Sequence, residues 1–417
     1  MITYDQCLAW DSEDPLKNFK DDFALPEDVI YLDGNSLGAR PRKSLALAQE
    51  VITQQWGEDL INSWNKADWW GLPTRLGDKV APLIGANAGE TIISDSTSLN
   101  LFKVLSAAVS IQAETYPERK IIVAEKDVFP TDIYMIEGFI HLINQGYQLV
   151  LIENLDDLTE TLASQQVAAV VLSHVNYRTG YLYDMAALNA HVHAHQALLI
   201  WDLCHSVGAV SIELNKTNSD FAIGCTYKYL NGGPGSPALL WVNPKLQNKV
   251  GQPLSGWWGH NKPFNMADHY EPAQGIRRFL CGTQPILSMS LIECGLDIFL
   301  NTDMQTVRDK SLKLTDLFMA LVEQECAGFG FELITPASHQ YRGSHVSFKH
   351  PNGYQIIQAL IARGIIGDYR EPEVLRFGVT PLYLSHADIW KAVQALKQVM
   401  HLGEWKQEKY QVRAQVT

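Results

Sequence analysis

The sequence predicts an α/β protein: a large domain with a mainly parallel central sheet covered by helices, then a smaller α+β domain. Three observations predict it. Short, continuously apolar runs such as 167–172 have the length of a buried strand. Helical stretches separate those runs, as parallel neighbours require. After about residue 300 the alternation gives way to mixed strands and helices. A chain of 417 residues with 46% hydrophobic and 19% charged residues has material for two or three folded domains and is not disordered.

The elements follow in order. Residues 29–32 read as a short strand running into the turn Asp33-Gly34-Asn35-Ser36-Leu37-Gly38. Pro41 starts a helix, where its fixed φ and missing N–H cost nothing. Leu45, Ala48, Ile52 and Trp56 recur at three- to four-residue spacing along one face of that helix. Strands are predicted at 91–94, 120–124, 148–152, 168–173, 198–202 and 222–225, with helices at 99–110 and 185–196. In the last part, 332–334, 344–348, 365–369 and 375–377 read as strands. A helix over 354–363 stops at Gly364, and Ser385-x-x-Asp388 has the form of a capping box for a final helix. The tail beyond Trp405 is polar.

Charge and cysteine usage narrow the function. The 33 basic and 46 acidic residues give a net charge of −13, which argues against nucleic acid or an anionic membrane as partner. The six cysteines form no CxxC pair and suit a reducing cytoplasm. The first 15 residues are acidic and lack an apolar segment, so no signal peptide is visible, and no apolar run reaches membrane-spanning length.

The strongest chemical signal is Thr226-Tyr227-Lys228-Tyr229-Leu230-Asn231-Gly232-Gly233-Pro234-Gly235. Lys228 lies just past a buried strand at the start of a glycine-rich loop. Desolvation there would pull an amine below its usual pKa of about 10.4 and make it nucleophilic; the plain alternative is a solvated loop lysine. Asp202 ends the apolar run 198–202, with His205 three residues on. A carboxylate at the carboxyl end of a parallel strand faces the crevice where such sheets bind ligands, although it could equally cap the next turn. Asp95-Ser96-Thr97-Ser98 joins a strand to a helix and suits a phosphate, or simply an N-cap. Phe129, before Pro130, could stack on a ring or fill core. Ser255-Gly256-Trp257-Trp258-Gly259-His260 would meet a ligand or a partner subunit, unless it only packs its own loop. Arg376 on an apolar strand needs a carboxylate, from protein or substrate. His191, His193 and His195 resemble metal ligands, but only the first and last share a helix face and no further ligand completes the set, so no metal is expected.

In this order the pieces resemble the kynureninase family of pyridoxal-phosphate enzymes, within the aspartate-aminotransferase-like fold type I. The matching segments are Tyr31–Gly38, Asp95–Asn100, Phe129–Asp132, Asp202–His205, Thr226–Gly235, Gly256–His260, Gly282–Pro285 and Arg376–Tyr383, so the likeness spans the chain. The resemblance implies an N-terminal segment 1–60 packing with the small domain, a large cofactor-binding domain 61–299 and a small domain 300–417. It implies a Schiff base between pyridoxal 5'-phosphate and Lys228, which later shuttles protons, and an Asp202 pairing with the pyridine nitrogen near His205. Thr97, Ser98, Tyr227, Trp257 and Thr283 would surround the phosphate and pocket rim. Phe129 would stack on the ring, with Asp132 and Ser173 near its substituents. Arg376 would take the substrate α-carboxylate, and Asn35, Ser36, Trp64 and His260 would shape the substrate pocket. Tyr227 is the candidate general acid, or a phosphate ligand. The implied reaction is hydrolysis of L-kynurenine to anthranilate and L-alanine, in tryptophan catabolism or NAD biosynthesis. The implied assembly is a homodimer with active sites at the interface and Trp257 as a candidate for the neighbour's site. Trp64 and Thr283, where animal members carry His and Asn, suggest preference for the unsubstituted ring over 3-hydroxykynurenine. The rivals are a cysteine desulfurase or class V aminotransferase of the same fold, and a non-catalytic metabolite-binding protein.

Overall fold

The computed structural model describes residues 1–413; the end of the polar tail, 414–417, lies outside the described residues. A two-residue strand β1 (Ile30–Tyr31) comes first. The central sheet follows with β2 (Thr91–Ser94), β3 (Ile121–Glu125), β4 (Gln148–Ile152), β5 (Val167–Ser173), β6 (Leu198–Asp202), β7 (Phe221–Gly224) and β8 (Ala238–Val242), in the order β2-β8-β7-β6-β5-β3-β4. The pairings β3·β4, β3·β5, β5·β6 and β6·β7 are parallel, and β8 alone runs against its neighbours. Every residue of β5 is buried, as a strand covered on both faces demands.

The last part of the chain holds β9 (Glu332–Leu333), β10 (His345–Lys349), β11 (Ile365–Ile366), β12 (Asp368–Arg370) and β13 (Val374–Gly378). Four of these form an antiparallel sheet in the order β12-β13-β10-β9. β11 instead pairs in parallel with β1, so the N-terminal segment is stitched to the C-terminal part. Asp11 strengthens that seam. Its carboxylate accepts from His386 N at 2.7 Å and from Ala387 N at 3.0 Å, capping the helix His386–His401. The Ser385–Asp388 capping box is present at the same helix start.

Several elements differ from the sequence expectation, and the helix expected to start at Pro41 begins at Ser44, with Pro41 in a bridge to Phe23. The stretch 365–369 is two strands in two sheets. β8 was hidden because its apolar run directly follows the glycine-rich loop. The face carrying Leu45, Ile52 and Trp56 points outward: the helix Ser44–Glu50 continues into a π-helix, Val51–Trp56, and buries Ser44 and Val51. Apolar spacing identified the stripe but not which side of it meets the core.

Candidate active site

The site lies at the carboxyl ends of the parallel strands, where such sheets open a crevice. Register places Asp202, the last residue of β6, beside Ser173 of β5 and Ile223 of β7. Asp202 Oδ1 accepts from Cys204 N at 2.8 Å, which fixes the carboxylate at the strand end.

Lys228 sits four residues beyond β7 in a loop pinned from within. Asn231 N donates to Lys228 O and Gly232 N to Thr226 O, both at 2.9 Å. The Asp33–Gly38 turn closes over this loop: Gly38 N donates to Tyr227 O at 2.7 Å. A Cβ on Gly38 would collide with the main-chain oxygen of Lys228, so the glycine is required by close approach.

The Lys228 amine has defined neighbours. Nζ lies 3.4 Å from His205 Nε2 and 5.9 Å from the centroid of the Phe129 ring. Phe129 is 41% exposed and meets Tyr177 in a T-shaped contact at 5.4 Å, so part of its ring surface is open. Burial, and then the Lys228 charge, hold His205 well below the usual imidazole range, so it is neutral. Burial and the neighbouring Asp202 push the Asp132 carboxyl well above the ordinary carboxylate range, while Lys228 pulls it back. Burial first, and then the nearby Cys225, push the Tyr227 phenol upward, so it keeps its proton.

These features test whether the residues fit the implied cofactor. Asp132 Oδ2 is buried without a hydrogen-bond partner, and Asp202 stands near it. Two carboxyl groups beside one amine, one of them with an unpaired oxygen, suit a cationic heterocycle carrying donor groups. On the other side, Ser96 accepts from Leu99 N to cap the helix Thr97–Thr115, whose first turn carries no acidic residue. Thr97 and Ser98 are half-buried there, and Thr97 Oγ1 lies 3.6 Å from Cys204 Sγ. A hydroxyl-rich helix start joined to the Asp202 turn suits a phosphate.

Arg376 is buried and engaged. It donates from Nε to Asp368 Oδ1 at 2.8 Å, from Nη2 to Asp368 Oδ2 at 2.5 Å and from Nη1 to Tyr177 O at 2.7 Å. Ser36 Oγ donates to Asp368 Oδ2 at 2.8 Å and accepts from Arg376 Nη2 at 2.8 Å and Arg370 Nη2 at 3.1 Å. With its amide oxygen turned to the guanidinium, Asn35 also accepts from Arg376 Nε at 2.8 Å. A protein carboxylate therefore fills part of the fork that the sequence reading gave to substrate. Sequence reasoning missed Asp368, Arg370 and Tyr177. The alternation of Asp368 and Arg370 along one strand was visible in the sequence; the pairing of Asp368 with Arg376 on the neighbouring strand was not.

The remaining candidates gather elsewhere. Trp64 and Trp257 meet at 6.2 Å in a cluster with Trp69, Trp70, Trp258 and Phe264. Among the described residues no ring contact joins that cluster to Lys228. His260 is buried in its own loop; its Nδ1 accepts from Lys262 N at 2.8 Å and its ring packs on Tyr270. Thr283 is exposed, beside a buried Gln284. The histidine triplet is tied up separately, His193 by Asp220 at 2.8 Å and His191 by Thr159 at 3.2 Å.

Two buried histidines contribute less stability in acid. Burial, then the charge of Arg308, pushes His174 down to about 4; burial, then Arg376, pushes His345 down to about 3. The unfolded chain protonates these rings near pH 6.5 and so binds more protons below it. The stability these two rings contribute therefore falls as pH drops from about 6.5 towards 4, by roughly 3 kcal/mol per pH unit for the two together, while the buried Asp33 and Asp132 carboxyls, held above their ordinary range by burial, take up protons in the folded state and oppose that fall. Between pH 7 and pH 5 the urea midpoint of a His174→Gln/His345→Gln variant should fall by less than that of the unsubstituted protein; equal changes in the two contradict the burial of neutral rings.

Fold and site together place the protein in the fold type I class of pyridoxal-phosphate-dependent enzymes. Solved structures carry the same fold at low identity. A cysteine desulfurase from Thermococcus onnurineus NA1 superposes with TM-score 0.77 at 16% identity, over 92% of this chain and 98% of that one. A C-DES variant with glycine covalently linked to its PLP cofactor gives TM-score 0.77 at 15% identity, over 91% of this chain and 98% of that one. The chain belongs to the kynureninase family: it is 56% identical to kynureninase from Pseudomonas fluorescens and 54% identical to that from Burkholderia pseudomallei (strain 1106a), each over 100% of both chains. The family model for the kynureninase C-terminal domain matches residues 307–396.

Proposed function

We propose that the protein hydrolyses the Cβ–Cγ bond of L-kynurenine to anthranilate and L-alanine, with pyridoxal 5'-phosphate as cofactor. The observation that carries this is an amine, Lys228 Nζ, 3.4 Å from a neutral His205 at the mouth of the sheet, in a chain that matches kynureninases end to end. When bound, the cofactor supplies the electron sink that stabilises negative charge at the substrate α-carbon.

The chain's own residues do the rest. Lys228 would carry the cofactor, and its Nζ would take and return the α-proton. The neutral His205 beside it does not compete as a cation. Asp202 would hold a positive ring nitrogen by charge, and Asp132 and Ser173 would face ring substituents. Thr97 and Ser98 would hold the phosphate, joined by Thr283 and Trp257. Phe129 would cover the ring. Tyr227 keeps its phenolic proton and would donate it to the alanyl carbon. Arg376, steadied by Asp368, would orient the α-carboxylate, with Asn35 and Ser36 beside it and Trp64 and His260 shaping the aryl side. Trp64 and Thr283 support preference for the unsubstituted ring. The desulfurase reading lacks a suitable thiol: of the six free cysteines only Cys281 is not buried.

We also assign a homodimer, a cytoplasmic setting and the three-part division at 60 and 299. The free cysteines support the setting. The dimer is supported by an outward apolar stripe in which Leu45 is 68%, Trp56 65% and Ile61 75% exposed. It would also bring Trp257 and Thr283 to a neighbour's site. The double variant Trp56→Asp/Ile61→Asp should sediment as a monomer and lose activity; an unchanged dimer refutes this surface.

Incubating the cofactor-loaded protein with L-kynurenine and following anthranilate fluorescence tests the activity. Turnover is expected. Absence of anthranilate with the bound-cofactor absorbance intact would reject the substrate and keep the cofactor.

A further inference from the structure

One partly buried ion pair near the site has no part in the steps above. Lys103 lies in the helix Thr97–Thr115 with its side chain 0% exposed. Its Nζ donates to Asp95 Oδ2 at 2.5 Å and to Phe279 O at 2.7 Å. Asp95 is the link between β2 and the helix start, and its φ is +49°, a left-handed conformation that costs a non-glycine residue energy. Its main chain is held as firmly as its carboxylate. Asp95 N donates to Gln284 Oε1 at 3.0 Å, and Asp95 O accepts from Ala238 N at 3.0 Å. Gln284 in turn donates from Nε2 to Gly282 O at 3.1 Å.

Two consequences follow. The strained turn sets where the helix begins, and so where the N–H groups and hydroxyls of Thr97 and Ser98 converge. The same contacts bolt the segment 279–284, which carries Thr283, to that helix start. Charge matters as well. An unpaired carboxylate two residues before Thr97 would repel an anion at the helix start, and the Lys103 ammonium cancels it from the buried side. Strain held by an ion pair whose ammonium is fully buried is found where a site must keep one geometry.

We propose that Asp95, Lys103 and Gln284 are positioning residues that set the phosphate cradle of the cofactor site. This rests on the reading of Thr97 and Ser98 as phosphate ligands.

The test titrates the cofactor-free protein with pyridoxal phosphate and, separately, with pyridoxal, which lacks the phosphate, following visible absorbance. Gln284→Ala and the double variant Asp95→Asn/Lys103→Met should weaken pyridoxal phosphate binding by about tenfold or more and leave pyridoxal binding within about twofold. The double variant leaves no unpaired buried charge; should it fail to fold, Gln284→Ala decides alone. Equal losses for both ligands, or no loss for either, overturn the proposal. Thr97→Val is titrated alongside. If it leaves the advantage of the phosphorylated ligand intact, the phosphate reading falls and the proposal with it. If it removes that advantage while Gln284→Ala does not, the positioning role alone falls.

Discussion

Lys228→Ala should lower anthranilate formation from L-kynurenine by about 10⁴-fold or more, the scale seen when a group on which every later step depends is removed. The size follows from position. Lys228 Nζ has the neutral His205 at 3.4 Å and the Phe129 face at 5.9 Å, and it is the lysine held by the Asn231 and Gly232 turn contacts. The backbone of the loop does not depend on its side chain, because those contacts come from main-chain groups. Circular dichroism and the urea midpoint should therefore match the unsubstituted protein. Lys228→Arg should be nearly as inactive, since a guanidinium stays protonated and cannot take a proton. Activity within about tenfold in Lys228→Ala would mean that another amine does the chemistry.

Asp202→Asn should lower kcat by about 10³-fold while retaining the fold. A unit-charge pair at about 4 Å is worth roughly 4 kcal/mol at an effective dielectric near 20, and that conversion gives the factor. Asparagine keeps an oxygen that can accept from Cys204 N, so the turn survives and the charge alone is lost. A second readout follows from the pair of carboxylates. Asp202 helps to push the Asp132 carboxyl up, so its removal should let Asp132 titrate lower, towards the ordinary carboxylate range. Loss of kcat with no change in the Asp132 titration would place the charge elsewhere.

The sequence made the chemistry-bearing loops legible and left their partners hidden. The apolar run 167–172 read as a buried strand, Asp202 ends a similar run and Lys228 stands just beyond another, so their placement at the strand ends was readable. Arg376 announced the need for a carboxylate. Which one remained hidden, because Asp368 meets it through cross-strand register, and register is set by tertiary pairing. The exposed stripe at Leu45, Ile52 and Trp56 shows the same limit: period gives a face and not its neighbour. Trp64 and Trp257, read as pocket residues, meet each other edge to face, since aromatic rings near a site satisfy packing first. The Asp95 turn was read for its hydroxyls. Its buried partner, Lys103, is two turns further along a helix whose pattern otherwise looks like core.

The most direct measurement is the covalent one. The holoprotein is reduced with borohydride, digested and mapped by peptide mass spectrometry. The pyridoxyl phosphate label should fall on the peptide containing Lys228 and nowhere else. A label on any other lysine, or an unlabelled Lys228 in protein that still carries the cofactor, would contradict the account.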